Sequence, residues 1–119
     1  MGGCIVRKKN KLDNVIAIVD NNKIGATDFT KNFSCVEPLD KKFRSFGWEC
    51  KKVRGHSIKD IYENLKKFSN SKNGKPKVLI CETIKGKGLD FLENDPSWHS
   101  RPLSDELKLK GSKILGLKL

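Results

Sequence analysis

The sequence predicts an α/β fold: a parallel sheet with right-handed crossovers. Three observations carry that expectation. Val15-Ile16-Ala17-Ile18-Val19 and Val78-Leu79-Ile80-Cys81 are apolar runs without polar alternation, as in strands buried on both faces. Segments with apolar residues at helical spacing separate these runs from a further strand-like stretch. The resulting order, strand–helix–strand–helix–strand, favours parallel pairing joined by right-handed connections.

The first strand, Val15 to Val19, stops at Asp20-Asn21-Asn22, where short polar side chains favour a turn. Lys23 to Val36 has no clear period and reads as a loop. Pro38 suits the first turn of a helix with Leu39, Phe43 and Phe46 along one face, and Gly47 stops it. Trp48 to Val53 forms a second strand, less apolar than the first and so nearer an edge. Ser57 with Asp60 three residues later is a capping signal. It opens a helix whose inner face carries Ile58, Ile61, Leu65 and Phe68. Ser69 to Pro76 is a polar turn, and Val78 to Cys81 the third strand. A long loop from Lys85 to Pro102 leads to a helix from Ser104 to Lys110, and residues 111–119 read as a frayed tail. A sheet of three strands is thin, and its first strand has little sequence before it to cover either face. Exposed strand edges of that kind pair with other chains.

The length of 119 residues allows one domain with a core of modest size. With 33% charged and 36% hydrophobic residues, the composition is that of an ordinary soluble globular protein. No run approaches the roughly 18 to 20 apolar residues of a membrane span. The expected setting is cytoplasmic. Met1-Gly2-Gly3-Cys4 with the lysines beyond it is similar to an acylated, polybasic anchor, but Val6 stands where that pattern wants Ser or Thr. Cys4, Cys35, Cys50 and Cys81 are too scattered for a zinc or disulfide framework and read as buried or incidental thiols. The net charge of +11 invites a nucleic-acid reading, yet arginine occurs only at positions 7, 44, 54 and 101. Without arginine forks or interleaved aromatics, the lysines read as a solvated basic surface.

Several strings share an order that points to chemistry. Leu12 to Ile24 closely resembles the second half of a thiamine-diphosphate motif. Further agreement comes from Glu37-Pro38-Leu39, Phe46-Gly47-Trp48-Glu49, Gly55-His56, Thr83-Ile84-Lys85-Gly86-Lys87-Gly88 and Phe91 to His99. Together they resemble the N-terminal, thiamine-diphosphate-binding section of transketolases, most of all the N-terminal subunit of split transketolases. The resemblance spans nearly the whole chain, from about Lys11 to about Leu107.

That resemblance implies a set of site residues, a reaction and a partner. By it, Asn22 and the Ile24 carbonyl correspond to ligands of the Mg²⁺ (or Ca²⁺) that holds the cofactor diphosphate. Oxygen donors suit a hard dication, and the polar end of a parallel strand is where such folds bind ligands. His99 corresponds to a family histidine that reaches the cofactor phosphates and assists proton movement. Gly88 is carried over as a cofactor contact from a cationic loop read as flexible, and His56 as a structural turn residue. The Gly-Asp-Gly that supplies the metal's aspartate is absent, and Ser100-Arg101 replaces the glycine after the family histidine. The implied reaction is transfer of a two-carbon ketol unit between ketose and aldose phosphates. The chain is expected to need a pyrimidine-binding domain or C-terminal subunit, to be oligomeric when complete, and to be inactive alone. Dihydroxyacetone synthase, deoxyxylulose-phosphate synthase, a dehydrogenase E1 component, or a non-catalytic basic remnant binding nucleic acid are the alternatives.

Overall fold

The computed structural model describes residues 13–117. The anchor-like Met1-Gly2-Gly3-Cys4 and the opening Leu12 of the thiamine motif lie outside the described residues. The chain forms two compact units, one of residues up to Asn21 together with Val36–Thr83, the other of Asn22–Cys35 together with Ile84–Leu119.

The first unit is a three-stranded parallel sheet flanked by helices. Its strands are β1 (Ile16–Asn21), β2 (Glu49–Arg54) and β3 (Lys77–Glu82), in the order β1-β3-β2. Both pairings are parallel, with Ile18 and Lys51 each opposite Leu79. The central strand carries the core because it has neighbours on both sides: Val78, Leu79 and Ile80 are fully buried. Alternation along the strands sends side chains to two opposite faces. On one face Val53, Leu79 and Cys81 pack with Phe68, Ile16, Ile61 and Leu65. On the other, Cys50, Val78 and Ile80 meet Ala17, Val19, Leu39, Phe43 and Trp48.

A short helix, α1 (Thr30–Phe33), lies in the second unit, within the stretch expected to be a plain loop. In the first unit, α2 (Leu39–Ser45) follows Pro38, and Gly47 at φ 79° ends it. Phe43 meets Trp48 edge-to-face at 5.6 Å, whereas Phe46, expected on the inner face, falls after the last helical residue and is exposed. The helix α3 (Ile58–Asn70) begins as the capping signal predicts, with the Asp60 N–H donating to Ser57 Oγ at 3.2 Å. Phe68 is buried, but Ile58 is 80% exposed. Ile61 and Leu65 pack against the core cluster, and Ile58 does not join it.

Two further readings change. The first strand is an edge strand among the described residues, so its apolar run is covered only in part and Ile18 stays 59% exposed. It also continues through Asp20 and Asn21, since β3 offers backbone partners as far as Glu82. The polar side chains there are bonded: Thr83 Oγ1 donates to Asp20, and Asn21 Nδ2 to Glu37 Oε1 at 3.0 Å. Lys77, fully buried, donates from Nζ to the carbonyls of Asp13 (2.6 Å) and Ser71 (2.8 Å). Finally α4 (Asp105–Ile114), capped by Ser104 and belonging to the second unit, runs past Gly111. Gly111 and Ser112 are buried, and Leu89 and Phe91 pack where a Gly111 side chain would begin, so order extends into the expected tail. Among the described residues no helix is long and apolar enough to cross a membrane.

Candidate functional site

All four residues singled out by the resemblance, Asn22, Ile24, Gly88 and His99, fall in the second unit. Asn22 follows directly on β1. Its Oδ1 accepts the Ile24 N–H at 2.9 Å, closing an Asx turn over Lys23, which sits at φ 62°. Two bonds frame the next step: Thr30 N–H to the Lys23 carbonyl (2.9 Å) and Gly25 N–H to the Asp28 carbonyl (2.8 Å). They create the Ile24–Phe29 bridge from flanking residues, so neither falls on the Ile24 carbonyl. Asp28 helps hold the turn by accepting from Asn32 Nδ2 and Phe29 N–H, and the Asn32 bond, foremost, draws its carboxyl below the usual range.

This arrangement bears on a metal. An amide oxygen retains a second lone pair after accepting one hydrogen bond, and a backbone carbonyl has two. Asn22 and Ile24 thus offer neutral, hard oxygens of the kind Mg²⁺ or Ca²⁺ takes. They fit such an ion as part of its shell but bring no negative charge. Among the described residues no group of three or more His, Cys, Asp or Glu could hold a metal.

The second arm is the loop after β3. Gly86 at φ 76° and Gly88 at φ 99° take backbone conformations that favour glycine. At Gly86 a side chain would also strike the Leu92 carbonyl. Hydrogen bonds within the loop tie its glycines to neighbouring residues. Leu89 N–H bonds the Gly86 carbonyl (3.1 Å), Asn94 N–H the Lys85 carbonyl (3.1 Å), and Gly88 N–H donates to Glu93 Oε1 at 3.1 Å. Glu93 also pairs with Lys87 Nζ at 3.3 Å.

His99 ends a 3₁₀ turn, Pro96–His99, for which Asp95 is the cap, accepting the Ser97 N–H at 2.9 Å. Hydrogen bonds from Ser97 hold the Asp95 carboxyl below its ordinary range, with the Arg101 charge adding to them. Arg101 lies 5.0 Å over the Trp98 ring. Lys85 Nζ stands 3.3 Å from His99 Nδ1. An ammonium only donates, so in this contact Nδ1 is the nitrogen placed to accept. The structure therefore joins His99 to the cationic loop through Lys85, and joins Asn22 to Ile24 through one bond. His56 lies in the exposed turn between β2 and α3, in the other unit. Sequence reasoning did not single out Glu93 or the Lys85–His99 contact. The Asn94-Asp95-Pro96 turn, which folds the chain back on itself, was the available signal.

Comparison with known proteins matches residues 3–118 to the family model described as transketolase, thiamine diphosphate binding domain. The chain is 44% identical over 100 residues to a subunit of the apulose-4-phosphate transketolase of Actinobacillus succinogenes, covering 83% of this chain and 36% of that protein. It is 34% identical over 97 residues to the 6-deoxy-6-sulfo-D-fructose transketolase subunit SqwG of a Clostridium species, covering 82% of this chain and 35% of that one. The crystal structure of transketolase from Campylobacter jejuni superposes with a TM-score of 0.84 at 29% identity, over 97% of this chain and 18% of its own. The chain thus spans about a third of the length of the subunit-type relatives it matches.

Proposed function

We propose that this chain, which belongs to the family of transketolase thiamine diphosphate binding domains, supplies one part of a transketolase active site and works only with a partner chain. The observation that carries the reading is the match of residues 3–118 to the transketolase thiamine diphosphate binding domain, and it is supported by Asn22, Ile24, Gly88 and His99 all belonging to the same compact unit. Relatives named as transketolase subunits support a divided enzyme, and we infer a partner bearing the pyrimidine-binding domain. A cytoplasmic setting and sugar-phosphate substrates belong to the same proposal.

Asn22 Oδ1 and the Ile24 carbonyl would hold Mg²⁺ or Ca²⁺, with the aspartate of a Gly-Asp-Gly motif, absent from this sequence, completing the shell. Thiamine diphosphate, when bound, supplies the electron sink for ketol transfer. The chain's own residues bind and orient. His99 can offer Nε2 as a hydrogen-bond donor to an anionic oxygen, while Lys85 occupies Nδ1. The Lys85 ammonium adds a point charge suited to phosphate.

The purified chain alone should show no turnover of xylulose 5-phosphate with ribose 5-phosphate. Mixed with a partner carrying the Gly-Asp-Gly segment and the pyrimidine-binding domain, it should bind thiamine diphosphate in a metal-dependent way by calorimetry. Asn22→Ala should weaken that binding roughly tenfold, the scale of one lost hydrogen bond or ligand contact. Turnover by the isolated chain, or metal-independent binding in the mixture, would overturn the proposal.

A further inference from the structure

Lys85-Gly86-Lys87-Gly88 carries two ammonium groups and glycines, a donor set that a phosphate could take up in several ways. The structure restricts the choice through one carboxylate. Glu93 Oε1 accepts the Gly88 N–H at 3.1 Å and lies 3.3 Å from Lys87 Nζ. The Lys87–Gly88 half of the loop is therefore neutralised and hydrogen-bonded from within. Glu93's own N–H bonds the Leu89 carbonyl at 3.1 Å, and the next residue, Asn94, closes the loop onto the Lys85 carbonyl. The chain then passes through the Asp95 cap into the turn that ends at His99, whose Nδ1 meets Lys85 Nζ at 3.3 Å. One residue thus ties the glycine end of the loop to the segment that returns with the histidine.

We propose that Glu93 is a positioning residue: it clamps Gly88 and Lys87 and so sets the loop that brings Lys85 Nζ to His99 Nδ1 as a pair. This rests on the proposed function in giving that pair to the cofactor's phosphates. It also limits Gly88, whose amide is committed to Glu93, to contacts through its carbonyl or Cα.

The test uses the full ¹⁵N-labelled chain, in which His56 and His99 are the two histidines and His56 serves as an internal control. Glu93→Ala should speed hydrogen exchange at the Gly88 amide roughly tenfold, the expected size for one charge-assisted hydrogen bond. It should also move the His99 imidazole ¹⁵N signals while those of His56 stay in place. Glu93→Gln keeps an acceptor oxygen without the charge and should return both readouts part of the way to wild type. Wild-type Gly88 exchange and His99 signals in the alanine variant, or failure of glutamine to rescue, would overturn the assignment. Should the alanine variant unfold, Glu93→Asp decides. One methylene short, it should speed Gly88 exchange within a native spectrum, and unchanged exchange would overturn the clamp. None of these readouts needs cofactor. A chain that binds no thiamine diphosphate removes the proposed function without touching the result for Glu93.

Discussion

Cysteine chemistry divides the thiols by place. Cys50 and Cys81 are buried in the sheet, and burial pushes both thiols above their ordinary pKa, with the Asp20 charge adding to the effect at Cys81. Cys35 is exposed. At about pH 8, iodoacetamide should label the exposed Cys35 quickly. Cys50 and Cys81 should react only once denaturant is added, and peptide mass mapping reads the order. Rapid labelling of Cys81 in the folded chain would mean that the β3 core is not closed as described. At this scale the sequence was informative about type and silent about company. That Asn22 is an oxygen donor is legible from its identity. That its oxygen already serves the Ile24 N–H, or that Lys85 meets His99, depends on how turns fold back.

At the scale of elements, α3 shows the most local control. The Ser57 cap bonds the Asp60 N–H, and the Asp60 carboxylate takes Arg54 Nε at 2.8 Å and Nη2 at 3.1 Å. Ser57→Ala should lower stability by about 1 kcal/mol, measured from the urea midpoint. The Arg54 hydrogen bonds draw the Asp60 carboxyl below its ordinary range. A depressed folded-state pKa contributes stability present above the unfolded value of about 3.9, and lost as pH falls through the folded one. Wild type should therefore lose more stability between about pH 6 and pH 3 than Asp60→Asn does. The difference should be small because Arg54 is exposed. Equal losses in the two proteins would show that the pair contributes nothing. The cap was legible in the sequence because it spans three residues. The exposure of Ile58 was not, because helical spacing identifies a face without saying how far the neighbouring sheet extends beneath it.

For the molecule as a whole, the buried apolar residues among those described concentrate in the first unit around β3. Leu79→Ala should cost about 2–5 kcal/mol, as expected for a fully buried leucine, and should shift the urea midpoint without changing the slope. The two outer strands differ in how they are guarded. β2 carries Lys51, Lys52 and Arg54, charges that discourage edge pairing, while Val15 to Val19 has none and Ile18 is 59% exposed. The purified chain should therefore self-associate with rising concentration in sedimentation velocity, and Ile18→Lys should reduce that association. A monomer at every concentration with a sharp cooperative melt would contradict this expectation.

The sequence by itself determined the α/β class, the existence of three strands, the α3 cap and the family strings, because each is written in neighbouring residues or in short periods. Tertiary structure alone decided that the last strand in the chain lies at the centre of the sheet. From that order follow the partial cover of β1 and the exposure of Ile18. It also decided the burial of Lys77, whose ammonium reaches the Asp13 carbonyl 64 residues away, and the bond of Thr83 to Asp20 across 63. Such partners are chosen by strand order and loop closure, which hydrophobic period does not encode. The clamp of Glu93 on Gly88 spans only five residues, yet it too needed the fold. A carboxylate finds an amide there only once Gly86 has turned the chain.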